Sequence, residues 1–462
     1  MTPYTENLTP PGQALLIGLE PVQHHPDRTV LERLRILRGH VPILSIKERN
    51  ETQGGSVTVM ADEVYADWIG SYGVAVDPHR LFADWSWSTE ALASPGRADE
   101  AIRDAMQATA HQAMPALVRA YERSDAVILT GMLLYGGIVV QRHIPKPHAL
   151  IAFSPFGVGL RGDSSFYAPE AGPSLRNLAG SLRAGTSVVP YIMPAARAAL
   201  AHYGEPPWRA WATLRHIPRT AFAVSRRVAP ASGRRTPATG FLRLASSEDL
   251  DPALLSFLDA GTPPVFLGAG TLSADDMRPL LRARVRGALG AGARVVTSTS
   301  TGLEPGDVDD RVHLIDEAPF DKLFPRCSLV VHHGGSGTTA TALAAGVPQL
   351  VTPIATDQPY FARRMHELGV GLRPVPFFDL TGDDVTAAVH EAPRLAPAQP
   401  SSPPRNAPTT APRPSPHGWS LRFDFRRPPA FDPAGSRCMP RWHADPFGPP
   451  TAQKCLSSSP LL

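Results

Sequence analysis

Cysteine is scarce in this chain, with three residues (Cys327, Cys438 and Cys455) among 462. That number excludes a disulfide framework, and the spacing matches no metal-ligand pattern. Long apolar runs are absent as well. Stretches such as 14–19 and 126–129 fall far short of the ~20 residues that cross a bilayer, so no stable membrane insertion is expected. The opening MTPYTENLTPPGQ shows no basic segment followed by an apolar one, and no secretory signal is expected. Charge is nearly balanced, with 45 Lys+Arg against 42 Asp+Glu, and a net +3 is too little to argue for a nucleic-acid partner. A 43% hydrophobic content is enough for large cores. At ~100–200 residues per domain the length fits two to four. These exclusions leave a soluble, cytoplasmic, multi-domain protein as the expectation.

Proline, by contrast, is abundant: 50 residues, about twice the ordinary ~5%. It is unevenly spread. Residues 393–462 hold 17 of the 50 and carry nine Lys+Arg against three Asp, so the remainder of the chain has 36 basic and 39 acidic residues. Text such as QPSSPPRNAPTTAPRPSP supports neither helix nor central strand, and 393–462 is predicted to be a disordered tail.

Residues 14–382 alternate short β-branched runs with helical stretches, which predicts an α/β protein with parallel sheets. Strand candidates in the first half are 14–19, 57–61, 74–76, 126–130 and 149–153, with 41–46 competing for the second place. A helix is predicted over 98–123, where Ile102, Met106, Met114, Leu117, Val118 and Tyr121 approach a 3.6 spacing. A second series of strands follows at 264–268, 294–298, 312–315, 328–332 and 348–352, with helices at 275–289, 338–345 and 359–368. Two Rossmann-like domains result, over 14–225 and 262–392, joined by a weakly patterned connection at 226–261.

The informative segment is SLVVHHGGSGTTATALAAGVPQLVTPIATDQPYFARRMHELGVG, residues 328–371. A strand runs into His332, His333, Gly334, Gly335, Ser336 and Gly337, and Thr338 and Thr339 open a helix of small residues. A glycine-rich strand–helix turn lets backbone N–H groups approach a ligand, and the helix N-terminus beyond it attracts anions. Histidine and hydroxyl donors suit a diphosphate there. Asp357 and Gln358 follow the next strand, and a carboxylate beside an amide suits sugar hydroxyls.

The order His-His-Gly-Gly-x-Gly-Thr, Gly-Val-Pro and Asp-Gln-Pro resembles the donor signature of the GT-B nucleotide-sugar glycosyltransferases, specifically the bacterial macrolide and glycopeptide enzymes and the sterol glucosyltransferases. The resemblance extends more weakly over 56–390. It implies a metal-independent, cofactor-free, inverting transfer from a UDP- or dTDP-sugar to a lipophilic small molecule. It further implies that His333, Gly334, Gly335, Ser336, Gly337 and Thr338 hold the diphosphate together with Thr271 of the GAGT turn, that Asp357 and Gln358 hold the sugar, and that Ala318 meets the nucleoside. Where plant relatives have a ribose-binding glutamate and a base-stacking tryptophan, this chain has Thr341 and Glu317. The catalytic base falls in GLEPVQHHPDRTVLERLRILRGH. Counting back from His40 selects His24, whereas alignment on Pro26 selects Gln23. The orienting aspartate of relatives is replaced by Thr130, which keeps a sugar-nucleotide-binding protein without transferase activity as the alternative.

Other patterns point elsewhere. Asp307-Val308-Asp309 reads as a polar loop rather than a manganese site. Arg161-Gly162-Asp163 follows the fifth strand and reads as a surface loop, with a place at the acceptor cleft as the alternative. Gly287-x-x-Gly290-x-Gly292 closes a helix and fails the dinucleotide test. Trp85, Trp87, Phe153, Phe156 and Phe166 could line an apolar acceptor cleft or pack a core.

Overall fold

A computed structural model describes residues 13–17, 56–71, 74–80, 95–146, 148–155, 159–213, 220–230, 238, 240–241, 246, 248–268, 278–299, 303, 309–354 and 357–395. The tail predicted over 393–462 lies outside them from residue 396 onward.

The first domain is built on a six-stranded, wholly parallel sheet. Its strands are β1 (Gln13–Ile17), β2 (Ser56–Asp62), β3 (Ala75–His79), β4 (Ala126–Leu129), β5 (His148–Ala152) and β6 (Thr220–Phe222), in the order β3-β2-β1-β4-β5-β6. The second strand is therefore the later of the two candidates. Between the strands run α1 (Ala66–Ser71), α2 (Pro95–Arg123), α3 (Leu134–His143), α4 (Leu175–His202) and α5 (Ala210–Thr213). Helix α2 buries Met106, Ala110, Ala113, Met114, Leu117 and Tyr121, the single stripe that a 3.6 period produces. That stripe packs with α3 and α4 in one core, and the Tyr121 hydroxyl donates to the Gly137 carbonyl at 3.0 Å.

The second domain repeats the plan. Its parallel sheet contains β7 (Val265–Leu267), β8 (Val295–Ser298), β9 (Val312–Ile315), β10 (Leu329–His332) and β11 (Gln349–Val351), in the order β11-β10-β7-β8-β9. Its helices are α6 (Pro252–Asp259), α7 (Arg278–Gly290), α8 (Phe320–Leu323), α9 (Ser336–Ala345), α10 (Gln358–Glu367) and α11 (Gly382–Glu391). Alternation along each strand divides the core in two. Val265, Leu267, Leu329 and Val331 face α7 and α11, whereas Phe266 and Val330 face α6, α8 and α9. Burial on both faces is what a parallel sheet requires.

Helix α6 lies inside the stretch 226–261 that reads as a connection. Asp251 caps it by accepting from the N–H groups of Ala253 (2.8 Å) and Leu254 (3.3 Å), and Pro252 opens it. Leu254 and Leu258 then bury against the sheet. No helix among the described residues is long and apolar enough to cross a membrane.

Gly287 is a packing residue, in keeping with its place in a helix rather than after a strand. Helices α7 and α11 cross so closely that a Cβ on Gly287 would collide with the Gly382 backbone, while Thr386 Oγ1 donates to the Gly287 carbonyl at 2.8 Å. Gly287→Ala is therefore expected to destabilise the protein by about 1–3 kcal/mol in urea unfolding. Gly290→Ala, where a Cβ meets open space, should be neutral or stabilising by a few tenths of a kcal/mol.

Candidate active site

Strand order reverses between β7 and β10, and the crevice beyond their carboxyl ends is where a doubly wound sheet receives its ligand. Gly268 ends β7 there, its N–H bonded to the Val331 carbonyl at 2.9 Å. The Gly-Gly turn after β10 rises on the other side. Thr271 lies outside the described residues, as do His24 and Gln23 of the loop after β1.

The two adjacent histidines do different work. His332 is 1% exposed. Its Nδ1 accepts from the Gly334 N–H (3.1 Å), which leaves the proton on Nε2 to donate to Gln349 Oε1 at 2.9 Å. Gln349 is fully buried on β11, and its amide nitrogen turns to Met365 Sδ. His332 thus braces the turn from behind. His333 is half-buried, with its ring laid over Gly335: a Cβ there would come within 2.7 Å of His333 Nε2.

Gly334 has φ +93°, a conformation glycine adopts at little cost. A Cβ would meet Val351 Cγ1 at 2.7 Å and the Gln358 carbonyl at 3.2 Å, so the turn presses directly on the start of α10. Gly335 is the N-cap of α9, and its carbonyl accepts from the Thr339 N–H (3.0 Å) and Oγ1 (2.9 Å). No side chain caps the helix and no acid stands in its first turn. The N–H groups of Ser336, Gly337 and Thr338 therefore stand at a positive helix end in front of His333. Ser336 and Gly337 are half-buried, and Thr338 is buried. Thr341 bonds back to the Gly337 carbonyl at 2.9 Å.

Asp357 and Gln358 stand beside this turn, with Asp357 as the N-cap of α10. Gln358 Oε1 accepts from the Ile354 N–H at 2.7 Å, so one end of its amide closes the loop that carries Asp357. Beyond them Tyr360 Oη and Arg364 Nε both donate to the Val228 carbonyl, at 2.9 and 2.8 Å. These bonds anchor α10 on the segment that leaves the first domain. Ala318, half-buried, lies past β9 on the same carboxyl-end rim, next to exposed Glu317.

Thr130 is buried directly after β4, the strand that pairs with β1. Phe166 packs against the cluster formed by Tyr360, Phe361 and Met365, while Phe153 is half-buried after β5; Trp85, Trp87 and Phe156 lie outside the described residues. Asp309 binds its own neighbour Arg311 through N–H and guanidinium, both at 2.8 Å. Asp163 is buried rather than on a surface loop, with its carboxylate accepting from Arg161 Nε at 3.3 Å. Gln349 and Gly268 escape the sequence reading; a glutamine in an otherwise apolar strand was the available signal for the first.

His332→Ala would leave Gln349 Oε1 and the Gly334 N–H without their buried partner. It is expected to cost roughly 2–4 kcal/mol in urea unfolding, against a change below about 1 kcal/mol for His333→Ala.

Residues 283–417 match the family described as the erythromycin biosynthesis protein CIII-like C-terminal domain. The glycosyltransferase GtfE of Amycolatopsis orientalis is 29% identical over 78% of this chain and 89% of its own. A sterol 3-beta-glucosyltransferase of Arabidopsis thaliana is 34% identical over 32% of this chain, a match that spans only 25% of that relative's length. The vancomycin aglycone glucosyltransferase of Amycolatopsis orientalis is 42% identical over 30% of this chain and 35% of its own. Among solved structures, glycosyltransferase VinC in complex with dTDP superposes with a TM-score of 0.55 at 20% identity, covering 82% of this chain and 90% of that one. The fold is that of the GT-B glycosyltransferases, and in sequence the chain is similar to enzymes of the macrolide, glycopeptide and sterol type.

Proposed function

We propose that this protein transfers a sugar from a UDP- or dTDP-sugar to a hydroxyl of a lipophilic small molecule, with inversion and without a metal. The observation that carries the reading is the approach of Gly334 to Gln358, which sets an anion-attracting helix end beside a carboxylate–amide pair. The diphosphate would lie against the α9 N-terminus, with His333 as a directed donor, Thr271 as a further hydroxyl, and Ala318 toward the nucleoside. Asp357 and Gln358 would hold the sugar. The acceptor oxygen loses its proton to a base, His24 in this reading, and attacks the anomeric carbon from the face opposite the phosphate. The bond to the phosphate oxygen breaks, and the charge that develops on the leaving diphosphate is met by the helix end and His333. The dTDP in VinC supports a thymidine donor, and the sterol and the vancomycin aglycone in the relatives' names support a small-molecule acceptor.

A second reading, nucleotide-sugar binding without transfer, is favoured by one observation. The position after β4, beside the end of β1, holds Thr130 rather than a carboxylate that could orient a histidine base.

Titration of dTDP and UDP by calorimetry, followed by transfer assays on a panel of lipophilic aglycones, separates the readings. The transferase reading expects diphosphate binding and a glycosylated product. Binding with neither transfer nor donor hydrolysis would leave the second reading. His333→Ala is expected to weaken diphosphate binding about tenfold or more, and undiminished affinity would remove His333 from the site.

A further inference from the structure

Between β5 and α4 the first domain carries a loop, residues 159–174, that is held by side-chain hydrogen bonds without being helix or strand. Asn177, fully buried on α4, staples it: the side-chain amide donates to the carbonyls of Leu160 (3.1 Å), Glu170 (3.0 Å) and Gly172 (2.8 Å) and accepts from the Glu170 N–H (2.9 Å). Within the loop the Tyr167 and Ala168 N–H groups bond to Ser165, and Phe166 turns its ring into the apolar cluster around Tyr360 and Phe361. Tyr167, the next residue, is only half-buried.

Arg363 of the second domain grips this loop. Its guanidinium donates to the Gly162 carbonyl at 2.8 Å and to the Ala168 carbonyl, on either side of buried Asp163. Arg363 lies six residues after the N-cap Asp357, roughly 9 Å along α10 at ~1.5 Å per residue. Helical side chains lean toward the N-terminus, so the tether draws the loop toward Asp357. A fork that engages two carbonyls at once fixes orientation as well as distance.

We propose that Tyr167, on the loop that Arg363 ties to α10, faces the transferred sugar at Asp357 and sets how tightly the sugar, as distinct from the nucleotide, is held. The inference builds on the donor-site reading above. Burial holds the Tyr167 hydroxyl well above its ordinary pKa, and the nearby Tyr135 and Asp357 push the same way. Tyr167 is therefore a neutral O–H at working pH, able to donate to one sugar hydroxyl and accept from another, whereas Asp357 only accepts. Arg363 acts through the loop and is a positioning residue.

The test compares the affinities of dTDP and dTDP-glucose, and of UDP and UDP-glucose, for the full chain and for Tyr167→Phe and Arg363→Gln. Tyr167→Phe keeps the ring and the fold, which a melting temperature within a few degrees of wild type would verify. The expected result is little change in dTDP or UDP affinity in either variant, with the ratio of nucleotide-sugar to nucleotide affinity altered threefold or more. A ratio unchanged within threefold, including a parallel loss of both affinities, overturns the role of Tyr167 while the donor site stands. If the wild-type chain binds neither dTDP nor UDP, the donor-site reading falls and the inference falls with it.

Discussion

The proposed donor crevice depends on one close approach, that of Gly334 to the start of α10. The residue takes a positive φ, and its missing Cβ lets the backbone press against Val351 and Gln358. Its N–H is held by His332, which is fixed in turn by Gln349. Any side chain at 334 would push α9 and α10 apart. The helix end proposed to hold the diphosphate and the Asp357–Gln358 pair proposed to hold the sugar would then no longer stand side by side. Energetically the arrangement is inexpensive, because each buried polar group involved has a partner within the second domain.

A second constraint joins the domains. Tyr360, Arg363 and Arg364 all bond to backbone carbonyls, in the 159–174 loop and at Arg227 and Val228. Carbonyls make no demand on the side chains they belong to, so this contact tolerates sequence change in the first domain. The helix that carries the candidate sugar ligands is thereby held against the domain that would present the acceptor. Phe166, Phe241 and Val224 fill the apolar space around it.

Much of the architecture was legible because parallel strands buried on both faces read as short continuous apolar runs. Strand 312–315 coincides with β9, and most others differ by one or two residues at their ends. Helix α4 was not legible, since Pro190 and Pro194 resemble breakers in a sequence and only its packing on α2 and α3 overrides them. Strand β6, at three residues, is too short to show a period, and α6 hid in a stretch of Pro, Ser and Asp that proved to be a cap followed by a short amphipathic helix. In the candidate site the Gly-rich turn and the Asp-Gln pair were visible as motifs and the resemblance singled out His333, but nothing in His-His itself tells which of the two rings is the buried brace. That distinction comes from Gln349, seventeen residues away and adjacent only through the pairing of β10 and β11. Arg363 was invisible for the same reason, because its bonds to the Gly162 and Ala168 carbonyls span two domains.

The N-terminus of α9 and His333 are proposed to form a diphosphate site at the switch point of the second sheet. A crystal structure of the chain with dTDP tests it most directly. The terminal phosphate is expected within hydrogen-bonding distance of His333 and of the N–H groups of Ser336, Gly337 or Thr338, with the nucleoside toward Ala318. A nucleotide bound anywhere else on the protein, with this helix end empty, would contradict it.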